Sequence, residues 1–268
     1  MTREPRARLS PVLAIVACVA LAFLVLPLVA LAIRAPWANL PALLGSEPVL
    51  QALGLSLLTA LISTGLCLVF GVPLAVLLSH SAQWPLVPRR LLRAAITVPL
   101  VLPPVVGGIA LLLLLGRRGI IGQFFAQAGL GIPYTTGAVV LAQTFVAMPF
   151  LVFAVEGALG GADRRMEGAA ATLGADRWQV FRLVTVPLVA PGVAAGAVLC
   201  FTRALGEFGA TITFAGSLPG VTRTLPIASY LALQTDPDAA IALALLLLVV
   251  SVVVLLALRD RWLPGVRG

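Results

Sequence analysis

The sequence predicts an all-α fold, a polytopic membrane bundle of about six spanning helices. Three observations predict it. Of the 268 residues, 60% are hydrophobic, against roughly 45–50% in an ordinary soluble domain. Only 10% are charged, where about 25% is usual. The apolar residues also gather in runs of the ~20 residues that a membrane-crossing helix needs.

The first run covers 11–33, behind Arg3, Arg6 and Arg8. A basic start and Ala30-Leu31-Ala32 also fit a cleaved leader, but the run exceeds the 7–15 residues or so of a leader core, which favours a retained helix. The second run, 50–79, carries Gly54, Gly65, Gly71 and Pro73, residues tolerated where neighbouring helices pack closely. The third, 94–115, contains Pro99, Pro103 and Pro104, so its first half is expected to bend or break. The fourth covers 136–159, the fifth 188–216 and the sixth 239–258. No repeat and no long polar stretch divides the chain, which reads as a single transmembrane domain over 1–268.

Charge orients the bundle. All 18 basic residues are Arg. With a cytoplasmic N-terminus, the inner segments hold Arg3, Arg6, Arg8, Arg89, Arg90, Arg93, Arg164, Arg165, Arg177, Arg182, Arg259, Arg261 and Arg267. The outer segments hold Arg34, Arg117, Arg118 and Arg223, and Arg203 falls within a span. This bias places both termini in the cytoplasm and the protein in the inner or plasma membrane. In so apolar a chain, the +8 charge reads as membrane orientation and contact with lipid, not as nucleic-acid binding. Trp37, Trp84 and Trp262 fall at expected interfaces.

Composition also excludes chemistry. Without Lys there is no G-x-x-x-x-G-K-[ST] phosphate loop and no Lys Schiff base. The single His80 rules out a multi-His metal site and reads as an interfacial residue. Cys18, Cys67 and Cys200 are scattered in apolar runs and form no disulfide framework. On this composition no catalytic residue, metal or cofactor of the chain's own is expected, and any water-soluble chemistry must come from partners.

The segment 160–187 is too polar to span and too patterned to be a plain linker. Asp163 suits a helix start, 164–173 is rich in helix formers, and Gly174 suits a helix end. A second amphipathic stretch, Trp178, Val180, Phe181 and Val184, precedes Pro187, which opens the fifth span. Two readings stay open from patterning alone: an interfacial helix on anionic lipid, or a docking helix for a cytoplasmic partner.

Within the fifth span, Arg203 and Glu207 lie four apart on one helix face. Gly192, Gly196, Cys200, Arg203 and Glu207 form one stripe, and Gly192-x-x-x-Gly196 allows close helix approach. An ionisable residue inside a membrane is costly and faces the bundle interior or water. The pair either neutralises itself and holds the bundle, or borders a translocation path. On the second reading Gly206 and Gly209 give a hinge or close approach, and Thr202, Thr211 and Thr213 offer hydroxyls to an anion. Glu156, near the inner end of the fourth span, caps loop contacts or pairs with Arg164 or Arg165.

The loop resembles the EAA motif of ABC importer permeases, E-A-A-x-x-x-G followed by I-x-L-P. Gly174 matches the glycine, and Val184-Thr185-Val186-Pro187 follows after nine intervening residues. Gly168, Ala169 and Ala170 take the leading positions, so Gly168 stands where the family carries its acid and Glu167 sits one place earlier. Pro99-Leu100-Val101-Leu102-Pro103-Pro104, Gly116-Arg117-Arg118-Gly119 and Arg203-Ala204-Leu205-Gly206-Glu207-Phe208-Gly209-Ala210-Thr211 are similar to stretches of sulfate- and molybdate-type permeases. Ile212-Thr213-Phe214-Ala215-Gly216 and Thr222-Arg223-Thr224-Leu225-Pro226 look more like the molybdate branch.

The resemblance implies a type I ABC importer permease for molybdate or tungstate. It implies two cytoplasmic ATPase subunits, which use ATP-Mg and dock on Arg164, Glu167, Gly168, Ala169, Ala170, Gly174, Trp178 and Pro187. It implies an extracytoplasmic oxyanion-binding protein and a second permease copy. Thr202, Arg203, Gly206, Glu207, Gly209, Thr211 and Thr213 are then the expected path or gate. The alternatives are a sulfate or thiosulfate permease, an ion-coupled secondary transporter, which would often show repeats and midplane carboxylates, and a membrane enzyme.

Overall fold

The structure, a computed structural model, describes residues 10–161 and 164–262. Among these residues there is no strand. The first run is helix α1, Pro11–Ile33, opened by Pro11 and by a cap in which the Leu13 N–H donates to Ser10 Oγ (3.3 Å). None of its residues is buried, so it stands at the margin of the bundle. A short helix α2, Leu40–Leu44, follows.

Helix α3, Glu47–His80, starts three residues before the expected second span. Pro48 explains the earlier start, because its fixed φ and missing N–H suit a first turn. The buried face of α3 is built from small residues: Ala52, Ser56, Ala60, Ser63, Cys67, Gly71 and Ala75. Small side chains let helices approach closely where lipid offers no hydrophobic drive for association. That face lies on α7, Thr136–Gly161. Ser63 Oγ donates to the Val140 carbonyl (3.1 Å), and Cys67 Sγ to that of Thr144 (3.7 Å).

The third run is broken as expected. Helix α4, Leu86–Val101, and helix α5, Pro104–Leu115, meet at a bend of 115°. The Pro103-Pro104 pair removes two backbone donors in succession, so no helix can continue through it. The pair nevertheless joins the two ends of α7. Arg93 on α4 pairs with Glu156 (2.9 Å), while Leu111 on α5 packs with Ala138 and Val139. Counted as one broken crossing, α4 and α5 bring the candidate spans among the described residues from five to six. A short α6, Gly122–Gln127, precedes α7.

The loop and fifth span differ from expectation. Helix α8, Arg164–Thr172, leads through Gly174 to α9, Arg177–Val180. A π turn, Phe181–Thr185, then joins α9 directly to α10, Val186–Leu205. Pro187 lies in the first turn of α10, as expected, but the helical segment behind it is continuous, from Arg177 to Leu205. The π turn places the Val186 N–H on the carbonyl of Phe181, five residues back. Pro187 itself has no N–H to donate, and the wider turn accommodates it.

At its far end the expected span 188–216 is two helices. Helix α10 stops at Gly206, and α11, Gly209–Ala215, follows at once. Helix α12, Leu225–Ala232, and helix α13, Pro237–Trp262, complete the chain. The core sits where α3, α7 and α10 meet, with a second cluster between α5, α7 and α11.

Candidate coupling loop and translocation path

The candidate coupling surface is assembled from short-range signals. Gly174 takes φ +87°, the left-handed conformation in which a glycine carries no Cβ penalty. Asp176 then starts α9 with a capping box. Its carboxylate accepts from the Gln179 N–H (2.8 Å), and the Gln179 side chain accepts from the Asp176 N–H (3.0 Å). The signal Asp176-x-x-Gln179 stands in the sequence, a cap additional to the one expected at Asp163 for the preceding helix. Asp163 and the side chains of Arg164, Arg165 and Glu167 lie outside the described residues, as does that of Trp262.

Gly168 and Ala169 are exposed and Ala170 is half-buried, so this stretch of α8 presents a low surface. Trp178 is 66% exposed and stacks on Phe181 with ring centroids 5.7 Å apart. Leu173, at the end of α8, is 88% exposed, and Leu183 and Pro187 are exposed on the segment that follows α9. An aromatic pair set among small residues is the composition of a protein-docking patch, since Trp and Tyr supply much of the energy at interfaces.

The second group sits at the α10–α11 break. Arg203 Nη1 and Glu207 Oε2 are 2.7 Å apart. Glu207 is 1% exposed, and its Oε1 accepts from the Ala210 N–H (2.8 Å). One carboxylate therefore neutralises α10's last-turn cation and ties down the first turn of α11. The expected stripe holds for Gly192, Gly196, Cys200 and Arg203, but Glu207 lies beyond the helix end. A Cβ on Gly192 would run into the Ala158 side chain, and one on Gly196 would come within 2.9 Å of Ala154 Cβ. These two glycines let α10 lie against α7.

The two other glycines of the expected gate separate. A Cβ on Gly209 would lie 2.9 Å from Pro104 Cβ, so this position is a close approach between α11 and α5. Gly206 is exposed, has φ −84°, and would meet only the Thr202 carbonyl at 3.5 Å. Nothing there requires glycine. The threonines differ too. The Thr202 hydroxyl donates to the carbonyls of Val198 and Leu199 (3.0 and 3.1 Å), and that of Thr213 to Gly209 (2.8 Å). Thr211 is fully buried, and its hydroxyl has no partner among the described residues.

Glu156 is held by Arg93, which also lies over the Phe153 ring at 5.9 Å. Sequence reasoning missed this pair because the two residues are 63 positions apart. His80 is exposed at the end of α3, where its Nδ1–H donates to the Val76 carbonyl (2.8 Å). Trp37 and Trp84 are exposed, at 60% and 39%.

A helical bundle with five candidate spans among the described residues, six if the bent α4–α5 pair is one crossing, defines a polytopic membrane protein. Residues 71–264 match the family of binding-protein-dependent transport system inner membrane components, and the chain belongs to it. It is a multi-pass membrane transport subunit, not an enzyme. The chain is 53% identical over 239 residues, 89% of each chain, to the molybdenum transport system permease protein ModB of Mycobacterium tuberculosis. It is 40% identical to ModB of Escherichia coli, covering 81% of this chain and 94% of that one. A probable molybdenum ABC transporter permease of Haloferax volcanii is 42% identical, over 84% of this chain and 80% of that one.

Solved structures confirm the type I importer fold. A chain of a bacterial ABC transporter for alginate superposes with a TM-score of 0.67 at 18% identity, over 92% of both chains. A chain of the MetNI methionine ABC transporter does so with 0.62 at 20%, over 80% of this chain and 96% of that one.

Proposed function

We propose that this permease carries molybdate, or its congener tungstate, across the membrane after delivery by an extracytoplasmic binding protein. The observation that carries the reading is the 53% identity to a molybdenum permease, sustained over 89% of both chains. Sulfate or thiosulfate import is the less favoured alternative, because the relatives above are molybdenum permeases.

Both termini are taken as cytoplasmic, from the Arg distribution. Two cytoplasmic ATPase subunits then dock on α8 and α9, through Arg164, Glu167, Gly168, Ala169, Ala170, Gly174 and Trp178, with Pro187 at the root of the surface. ATP-Mg is bound and hydrolysed by those subunits. A second copy of this chain completes the path.

The mechanism is mechanical. The helical segment Arg177–Leu205 has 29 residues, about 43 Å at 1.5 Å per residue. A displacement of Trp178 by a closing ATPase pair is carried along this rod to Arg203 and Glu207. There the carboxylate transmits it to α11, and Gly209 transmits it to the Pro104 end of α5. Residues Thr202 to Thr213 border the gate on this reading. They offer weak contacts, which suits conduction better than a deep binding well.

The test is uptake of labelled molybdate by proteoliposomes that hold the permease with its ATPase and binding protein. ATP-dependent uptake that resists excess sulfate and fails in a Glu167→Ala, Trp178→Ala variant is expected. Uptake abolished by sulfate moves the substrate to the sulfate branch. Uptake without an ATPase overturns the coupling mechanism.

A further inference from the structure

A groove of about 1190 Å³ runs between α3 and α10 at the end of the bundle that carries the coupling loop. Its floor is Val155 of α7 and Val189 of α10, both buried. Its walls include Val72 and Val76 of α3 and Val193 of α10, all half-buried, so it is an open furrow, not a sealed void. At one end the character changes. Arg177 and His80 line the mouth, with Ser79 and Gln83, and no Asp or Glu is among the described residues that line the groove. Arg177 has no ion-pair partner among the described residues.

The geometry points to an anionic phospholipid as the occupant, its acyl chains along the valine walls and its phosphate at Arg177. Two features favour an amphiphile. Polarity is graded along a single axis, apolar within the bundle and cationic at its end. The cation, Arg177, has no ion-pair partner among the described residues, and basic pockets between spanning helices on the cytoplasmic side take acidic headgroups. An oxyanion path would not be walled by valine over most of its length. A helix of a second copy would cover Arg177 with apolar surface and leave its charge uncompensated. The bound lipid would sit directly against α9 and the π turn, at the root of the coupling surface.

Purified permease–ATPase complex in nanodiscs of mixed phosphatidylglycerol and phosphatidylcholine, ejected and weighed by native mass spectrometry, tests this. Retained lipid is expected to be enriched in phosphatidylglycerol about fivefold over the disc composition, the factor one cation near an acidic headgroup is worth. Arg177→Gln should abolish the enrichment while lipid remains bound. Ala194→Trp, which fills the groove, should remove the lipid itself, and Arg177→Gln keeps the test valid if that variant does not fold. Enrichment unchanged in Arg177→Gln overturns the proposal. So does efficient disulfide crosslinking of Val193→Cys between two copies, which would make the groove a subunit contact. Neither readout depends on transport, so failure here is separable from failure of the molybdate assignment.

Discussion

The two ends of the segment Arg177–Leu205 are built on opposite principles. At the α9 end, Trp178, Phe181 and Leu183 are exposed, and the local structure is fixed by a glycine in the left-handed region and a capping box. At the α10 end, Glu207 is buried and both its oxygens are engaged, one by Arg203 and one by the Ala210 N–H. The first end has apolar surface without a partner. The second has charge fully answered from within the chain. A helix so arranged is a lever with one free contact surface and one fixed joint, and its middle is held to α7 by Gly192 and Gly196.

The largest break of this contrast is Glu207→Ala. It leaves Arg203 without its counter-charge and the Ala210 N–H without an acceptor. Loss of one partner of a largely buried pair costs about 3 kcal/mol, seen as a lowered thermal midpoint in detergent. Glu207→Gln, which keeps an acceptor for Ala210, should lose measurably less. An alanine variant as stable as the parent would show that the joint is not fixed by this carboxylate.

Trp178→Ala should do the reverse. Stability should hold within about 0.5 kcal/mol, as for an exposed side chain. Affinity for the ATPase should fall about thirtyfold, the ~2 kcal/mol of an aromatic hot spot, read by titration of ATPase against reconstituted permease. Unchanged affinity would remove the free surface from the comparison.

Gly196→Ala probes the middle. The new methyl would stand 2.9 Å from Ala154 Cβ and 3.0 Å from Leu151 Cδ1, an overpacking that costs about 1 kcal/mol, measured in the same thermal assay. Gly206→Ala, where nothing crowds the added Cβ, is the matched control and should be near neutral. Arg93→Gln is a smaller change than Gly196→Ala. It removes a pair whose arginine is 49% exposed, so about 0.5 kcal/mol is expected. A larger loss would show that the α4–α7 contact is carried by this pair and not by Ile96, the buried α4 residue that shares a core cluster with Leu151, Val152 and Val155.

Much of this was legible before any coordinates. Runs of apolar residues located the spans, Pro103-Pro104 marked the break, and Gly174 marked a helix end, because each acts through its own backbone or its neighbours within a turn. The four-residue spacing of Arg203 and Glu207 gave their pairing for the same reason. The fifth span proved shorter at its far end than the apolar run, and at its near end the helix ran on behind Pro187. Pro187 looked like a boundary, and no local signal announces a π turn that lets a helix continue past it. The stop at Gly206 was hidden inside an apolar run that a hydropathy window cannot divide.

Composition and periodicity by themselves determined that this chain spans a membrane, what chemistry it lacks, and that its polar loop stands apart from the bundle. These follow from transfer energies and backbone preferences, which are sums over nearby residues. The tertiary structure alone decided that Glu156 belongs to Arg93, that Gly209 meets Pro104 while Gly206 meets only its own helix, and that Thr211 is buried. Those outcomes depend on which faces of α3, α5, α7, α10 and α11 come together. That packing is a property of pairs distant in sequence, and nothing in the spacing of either partner encodes it.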